Sequence, residues 1–281
     1  MATANGPAPT GMNVQHLQGL RATTRDLDLL TDRIEAHLDA HEGYLAFSGG
    51  KDSLVTLHLA LRADPEVPVV FFDSGFKYPE TYAYLEHVAE AWRLNLHVVP
   101  ARRTTLEVLV DSGAWDHTAP TPGTREDLHR ILITEPAAVA HQAHGPGELW
   151  GVRAQESRGR AAAYANALRA AKCPCDPACT PRAARAGHGG VITRADTTVA
   201  FGPAWDWSTA EIWGHIARHH LPANPVYAKL RALGAPEHFL RISHALDGTR
   251  LEEGRVTWLR RGWPTMYDQI AHDLPRLREY V

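Results

Sequence analysis

A chain of 281 residues with 44% hydrophobic content can bury a full core as one large α/β domain, or as a domain with a smaller appendage. Its net charge of −3 argues against a protein coated with positive charge for nucleic acid, and no apolar run approaches the roughly 20 residues that span a bilayer. Three cysteines, all between 173 and 179, cannot make a disulfide framework and fit a reducing cytoplasm.

Residues 1–16 lack a basic segment followed by a long apolar stretch, so they read as a disordered leader and not as a secretory signal. Helical spacing covers 17–38, with Thr24 or Asp26 as N-cap. A strand is expected at 44–47 and a helix at 53–62. Residues 67–73 (Val-Pro-Val-Val-Phe-Phe-Asp) form the kind of apolar run that a parallel strand shows when both faces are covered. A loop at 76–79, a helix at 79–92 opened by Pro79 and a third strand at 94–100 follow. Strands alternating with helices imply right-handed crossovers, hence a Rossmann-like, doubly wound, mostly parallel α/β sheet. Further on, a loop at 119–123 lies between short helices, and a short strand is expected at 148–152. A helix at 156–171, an irregular loop at 172–190 and an extended stretch at 191–201 come next. A helix at 209–219 follows a Ser208 cap, and no internal repeat is present. The expected division is a leader (1–16), an α/β domain (17–223) and a mainly helical C-terminal subdomain (224–281).

The string Phe47-Ser48-Gly49-Gly50-Lys51-Asp52-Ser53 closes the first strand and opens the first helix of this alternation. A strand that turns through two glycines into a helix N-terminus aims several backbone N–H groups at one spot, and the helix dipole favours an anion there. The glycines permit close backbone approach, Lys51 supplies a charge, Ser48 and Ser53 supply hydroxyls, and Asp52 can hold magnesium. Read alone, Ser-Gly-Gly is also a common tight turn, and Lys-Asp-Ser an ordinary first helical turn. Placed after a hydrophobic strand, the full string reads as a nucleotide phosphate site, although it is not the Walker pattern.

Asp73 and Ser74 stand where the second strand ends, the edge at which open parallel sheets bind ligands. A turn cap is the other reading of Asp73. In Gly151-Val152-Arg153-Ala154-Gln155-Glu156-Ser157-Arg158-Gly159-Arg160, the groups of Arg153, Ser157 and Arg160 follow a glycine at near-helical spacing. Guanidinium forks suit phosphate oxygens and charge developing on phosphorus. An exposed, arginine-rich helix start is the plainer reading.

Ser48-Gly49-Gly50-Lys51-Asp52-Ser53 resembles the PP-loop of the ATP pyrophosphatase superfamily. With Val69 through Gly75, Tyr78-Pro79-Glu80-Thr81, Gly151 through Arg158, Trp205 through Trp213 and His220 through Tyr227 in order, the chain resembles the phosphoadenosine-phosphosulfate (PAPS) reductase family. The likeness covers roughly residues 40 to 230. That family includes reductases, adenylyl-transferring enzymes and the ATP pyrophosphatases of DNA phosphorothioation. The resemblance implies a Rossmann-like sheet, a nucleotide in the loop of residues 48–53, and adenine and ribose near Phe47 and Asp73. The reductases use a cysteine in a Glu-Cys-Gly tail to attack the substrate's sulfur, whereas here no cysteine follows Cys179.

The expected function is therefore ATP pyrophosphatase activity, cleavage of Mg²⁺-ATP to AMP and pyrophosphate that activates a substrate by adenylylation. Lys51 and Arg153 would stabilise the α-phosphate and leaving pyrophosphate, Ser48 would bind, and Asp52 or Asp73 would organise magnesium. Sulfur insertion into nucleic acid, as in DNA phosphorothioation, is the pathway the resemblance suggests. A nucleic-acid substrate, a cysteine desulfurase as sulfur donor and further modification subunits would be the partners. The alternatives are sulfonucleotide reduction by an unusual thiol and a non-catalytic ATP-binding regulatory subunit. Cys173, Cys175 and Cys179 form Cys-x-Cys-x3-Cys, a candidate zinc or iron–sulfur ligand set, a sulfur relay or an ordinary loop. Between 151 and 194, eight Lys/Arg (153, 158, 160, 169, 172, 182, 185 and 194) face two acids (156 and 176), a patch for phosphate-rich ligands or a solvated helix face. Arg241, Arg250, Arg255, Arg260 and Arg261 beside Trp258 and Trp263 offer stacking to a nucleic-acid strand, or a docked helical core.

Overall fold

A computed structural model of the protein describes residues 19–112, 128–172, 180–242 and 255–281. Strand β1 (Gly43–Ala46) leads into helix α2 (Lys51–Ala63), which follows helix α1 (Leu27–His41), whose N-cap is Asp26. Strand β2 (Val69–Asp73), helix α3 (Pro79–Trp92) and strand β3 (Leu96–Pro100) come next. Helix α4 (Thr105–Ser112), a π-helical turn (Arg130–Thr134) running into α5 (Glu135–His144), and β4 (Gly147–Trp150) return the chain to the centre of the sheet. A 3₁₀ turn (Ala154–Glu156), helices α6 (Arg158–Lys172) and α7 (Pro181–His188), and the hairpin β5 (Val191–Thr193) and β6 (Val199–Phe201) follow. Helices α8 (Thr209–Arg218), α9 (Pro225–Ala232), α10 (Arg255–Gly262) and α11 (Pro264–Asp273) and a terminal 3₁₀ segment (Pro275–Tyr280) complete the described chain.

The six strands are ordered β3-β2-β1-β4-β6-β5, with every pair parallel except β5 with β6. This is the doubly wound α/β arrangement expected from the alternating pattern. The chain starts at β1, winds outward to β3, then crosses back to place β4 on the other side of β1. The carboxyl ends of β1 and β4 therefore flank a topological switch point, where such sheets open a crevice. Side-chain alternation along β1 feeds two layers. Leu45 joins the large core under α2, α3 and α8, whereas Tyr44 joins Val70 and Ala140 on the opposite face. Val69, Val70 and Phe71 are all buried, which explains why β2 reads as an unbroken apolar run.

Two boundaries depart from expectation. Residues 172–190 are not wholly irregular, because Thr180 accepts a bond from Ala183 N–H at 3.2 Å and Pro181 opens α7. Helical spacing at 17–38 overshoots, since the helix starts only after Asp26 caps it. The expected leader lies outside the described residues. Apolar residues of the C-terminal helices, including Val256, Leu259, Tyr267, Ile270 and Leu277, sit in the same core cluster as β1 and α2. Among the described residues no helix is long and apolar enough to cross a membrane.

Helices α2 and α8 meet through imidazoles, His215 Nε2 lying 3.0 Å from His58 Nδ1 with the His219 ring beside both. Burial, then the neighbouring cationic groups His219 and Arg62, lowers His58 to a pKa of about 4, and His215 falls to about 3. Buried His37 falls to about 4 by the same dominant cause. Unfolded imidazoles titrate near 6.5, so below that pH the unfolded chain takes up protons that the fold refuses. Stability is expected to be complete above pH ~6.5 and to decline continuously towards pH ~3. Urea midpoints measured across that window check this, and a flat profile would contradict it.

Candidate functional site

The turn between β1 and α2 is shaped by glycine at its tightest point. Gly49 holds φ +76°, the left-handed region that side chains disfavour, and Gly50 is an N-cap with no side chain to occupy the helix N-terminus. The first-turn N–H groups of α2 thus face the mouth of the turn. Ser48 Oγ lies 3.1 Å from Ser53 Oγ, and Ser53 Oγ donates to Gly50 O at 3.1 Å. The two hydroxyls brace the turn from within.

Asp52 is the hub of the charges. Its Oδ2 takes Lys51 Nζ at 2.6 Å, and its Oδ1 takes Arg153 Nε at 2.6 Å. Arg153 is only 3% exposed. Its Nη1 donates to Gln155 Oε1 at 3.0 Å and to Trp207 O at 2.8 Å, and its Nη2 donates to Thr209 Oγ1 at 3.4 Å. Gln155 Oε1 also accepts from Thr209 N–H at 3.0 Å, which ties the start of α8 to the same network. The guanidinium is placed by local geometry, because Glu156 Oε2 accepts from Arg153 N–H at 2.8 Å and closes the 3₁₀ turn. Arg153 therefore organises Asp52 and the Trp207–Thr209 segment, and four of the five donors of the fork expected to grip phosphate are engaged within the fold. Magnesium does not fit Asp52 either, since both carboxylate oxygens carry cationic donors. Among the described residues no group of three His, Cys, Asp or Glu side chains is placed to hold a metal ion.

Gly151 explains how β4 reaches the loop. A Cβ built there would stand 2.5 Å from Ser53 N and 2.7 Å from Ser53 Cα, so the strand end presses backbone to backbone against the first turn of α2. From the far side, Asn224 Nδ2 donates to Gly49 O at 3.4 Å and to Thr81 Oγ1 at 3.2 Å, while Tyr227 Oη accepts from Lys51 N–H at 3.1 Å.

Around this turn the structure gathers Ser48, Gly49, Gly50, Lys51, Asp52, Ser53, Gly151 and Arg153. Other candidates are used differently. Phe47 is 1% exposed and its ring packs in the core near Tyr84, so only its backbone is available to the turn. Asp73 Oδ1 accepts from Gly75 N–H and Tyr82 Oη, both at 2.8 Å, and braces the loop after β2. The Ser74 hydroxyl is buried and meets no partner among the described residues. Ser157 Oγ caps α6 by accepting from Arg160 N–H at 3.2 Å, and Arg160 pairs with Glu156 on the surface. Cys173, Cys175 and Cys179 lie outside the described residues. Trp263 of the C-terminal basic–aromatic run is buried and donates to Glu80 Oε2 at 2.7 Å. Burial alone would raise the Glu80 carboxyl, but bonds from Lys229 and Trp263 hold it below its usual range.

Sequence reasoning passed over three residues that complete the surroundings and a fourth, Lys77, that lies near Asp73. Asn224 and Tyr227 belong to a quoted motif but received no role, and Gln155 sits inside another. Lys77 is 7% exposed, and burial pushes its ammonium down to about 8, with nearby Asp73 opposing the shift. A charged residue in an otherwise apolar loop was its only signal.

A family model described as the phosphoadenosine phosphosulfate reductase domain matches residues 42–241. Phosphoadenosine 5′-phosphosulfate reductase of Alkalilimnicola ehrlichii is 27% identical over 220 residues, covering 77% of each chain. The enzyme of that name from Thiocapsa roseopersicina is 27% identical over 213 residues, covering 74% of this chain and 77% of its own. Among solved structures, phosphoadenylyl-sulfate (PAPS) reductase from Candida auris in a phosphate complex aligns with a TM-score of 0.46 at 18% identity, covering 76% of this chain and 93% of that one. Candida glabrata FMN adenylyltransferase with FMN and an ATP analogue gives 0.42 at 14% identity, covering 76% of this chain and 66% of that one. Both structural likenesses are loose, and the fold rests on the strand order given above.

Proposed function

Since the chain belongs to the phosphoadenosine phosphosulfate reductase domain family, we propose that it is an enzyme acting on an adenosine nucleotide at the anhydride of its 5′-phosphate. The observation that carries this reading is the α2 N-terminus, opened by Gly49 and Gly50 and fixed from behind by the Asp52–Arg153 pair. Backbone N–H groups and the helix dipole would hold the 5′-phosphate and stabilise the charge it gains as a leaving group. The names of the relatives support a sulfonucleotide as substrate. A thiolate would attack the sulfur and expel the nucleotide phosphate, and a second thiol would release sulfite and leave a disulfide. The three cysteines of the sequence are at 173, 175 and 179, so that segment would supply the thiolate.

A second reading has one observation in its favour. Ser48 to Ser53 carries the sequence that resembles the PP-loop of the ATP pyrophosphatase superfamily. Such a site suits ATP, cleaved between the α and β phosphates to adenylylate an acceptor. Sulfur insertion into nucleic acid, as in DNA phosphorothioation, would be the pathway of this second reading.

Product analysis separates the two. The full chain is incubated with phosphoadenosine phosphosulfate and reduced thioredoxin, and separately with ATP and magnesium. Sulfite release that disappears when Cys173, Cys175 and Cys179 are all replaced by alanine is the expected result. Pyrophosphate and AMP from ATP, without sulfite, would establish the second reading. ADP and phosphate, or no turnover of either nucleotide, would overturn both.

A further inference from the structure

Tyr227 stands at the start of α9, is 4% exposed, and reaches the turn between β1 and α2 from an element 176 positions further along the chain. Its oxygen accepts from Lys51 N–H at 3.1 Å. Lys51 is the first residue of α2, so that N–H is one of the donors for which the helix has no acceptor of its own. The same oxygen faces Gly50, where a built Cβ would lie 3.6 Å from Tyr227 Oη and 3.4 Å from Ser48 Oγ. The phenol is thus at the mouth of the turn, beside the atoms that would meet a phosphate.

One of its two hydrogen-bonding roles is unfilled. The oxygen accepts, but among the described residues its own proton meets no acceptor. Buried phenols ordinarily find one, because a desolvated donor without a partner is unfavourable. Burial, then the Asp52 carboxylate, pushes its ionisation well above that of an ordinary tyrosine, so the proton stays on at working pH. The ring cannot easily turn away. Asn224 Oδ1 accepts from Val226 N–H at 3.0 Å while its amide nitrogen bonds Gly49 O and Thr81, and the Trp213 ring meets Tyr227 edge-on at 5.4 Å.

We propose that Tyr227 is a phosphate-binding residue, holding Lys51 N–H through its lone pair and donating its proton to a phosphate oxygen seated in the turn. The assignment rests on the nucleotide reading given above and adds a specific donor to it. A phosphate oxygen supplies the acceptor that the fold withholds. The same bond makes the α9 segment part of the site, so that phosphate binding draws Asn224–Tyr227 and the turn together.

Tyr227→Phe removes the O–H and keeps the ring. Thermal unfolding of the full-length wild type and variant is followed alone, with pyrophosphate, with ATP, and with phosphoadenosine phosphosulfate. The expected result is a ligand-free midpoint near wild type, a largely abolished upward shift with each ligand, and affinities about ten- to hundredfold weaker by calorimetry. A tyrosine serving only as a strut would lower the ligand-free midpoint and keep the wild-type shift, and that result overturns the assignment. Equal shifts in both proteins overturn it too, and leave nucleotide binding intact. Should the variant be unstable, titration at low temperature decides: wild-type affinity sinks the proposal, and tenfold weakening supports it. A wild type that binds none of pyrophosphate, ATP and phosphoadenosine phosphosulfate in this assay overturns both this assignment and the reading beneath it.

Discussion

Replacing Asp52 by alanine is expected to destabilise the protein by about 3–5 kcal/mol, because it strands the Arg153 guanidinium inside the fold. Arg153 is 3% exposed, and its other acceptors (Gln155, Trp207 and Thr209) are neutral. They satisfy donors without balancing the charge. Asp52→Asn keeps the shape and one acceptor oxygen and should cost less than the alanine change. The pair also predicts strong coupling. Since removing both members of a buried ion pair is far less harmful than removing one, a double variant carrying Asp52→Leu and Arg153→Met should recover much of the loss. Urea denaturation of the two single variants and the double variant measures this. If Asp52→Ala unfolds within about 0.5 kcal/mol of wild type, the pair is not the brace described here. The experiment also bears on function, because loss of turnover in Asp52→Ala, taken alone, could reflect a collapsed turn and not a missing catalytic group.

Gly151→Ala should be the most damaging methyl group that can be added near the turn. The new carbon would stand 2.5 Å from Ser53 N, 2.7 Å from Ser53 Cα and 2.8 Å from Asp52 C. Those are backbone atoms, so no rotamer change relieves the contact. Either β4 or the start of α2 must move, at a cost of about 1–3 kcal/mol or more, and nucleotide binding should be lost with it. Gly159→Ala supplies the contrast, because the nearest atom to a Cβ there is Ser157 Oγ at 3.9 Å. On α6 that change should be neutral, or stabilising by up to about 1 kcal/mol through helix propensity. Parallel measurement of stability and ATP binding tests both, and indistinguishable behaviour of the two variants would refute the close approach of β4 to the turn.

The likeness of the chain to its family was legible because the informative signals are local. The apolar run into Ser48-Gly49-Gly50 marks a strand entering a helix, and Asp73 marks the end of the next strand. Thr180 and Pro181 show where local reading failed, since a single capped turn inside a Pro-, Cys- and Gly-rich segment gives no periodicity to detect. Arg153 is the more instructive case. An arginine after a glycine suggests a free fork for phosphate, and nothing nearby in the chain reveals that Asp52, 101 positions earlier, consumes it.

By itself the amino-acid order determined the alternating strand and helix pattern, the glycine turn after β1, and the family. Each depends on neighbours within a few residues, where backbone sterics and periodic burial act. Only tertiary structure decided which charges are available at that turn. Asp52 joins Arg153, Tyr227 meets Lys51, and Gly151 presses on Ser53 because the sheet returns from β3 to β4 and carries α9 back over the turn. Contacts across such separations follow from how the layers close around one core, and no short window of residues encodes them.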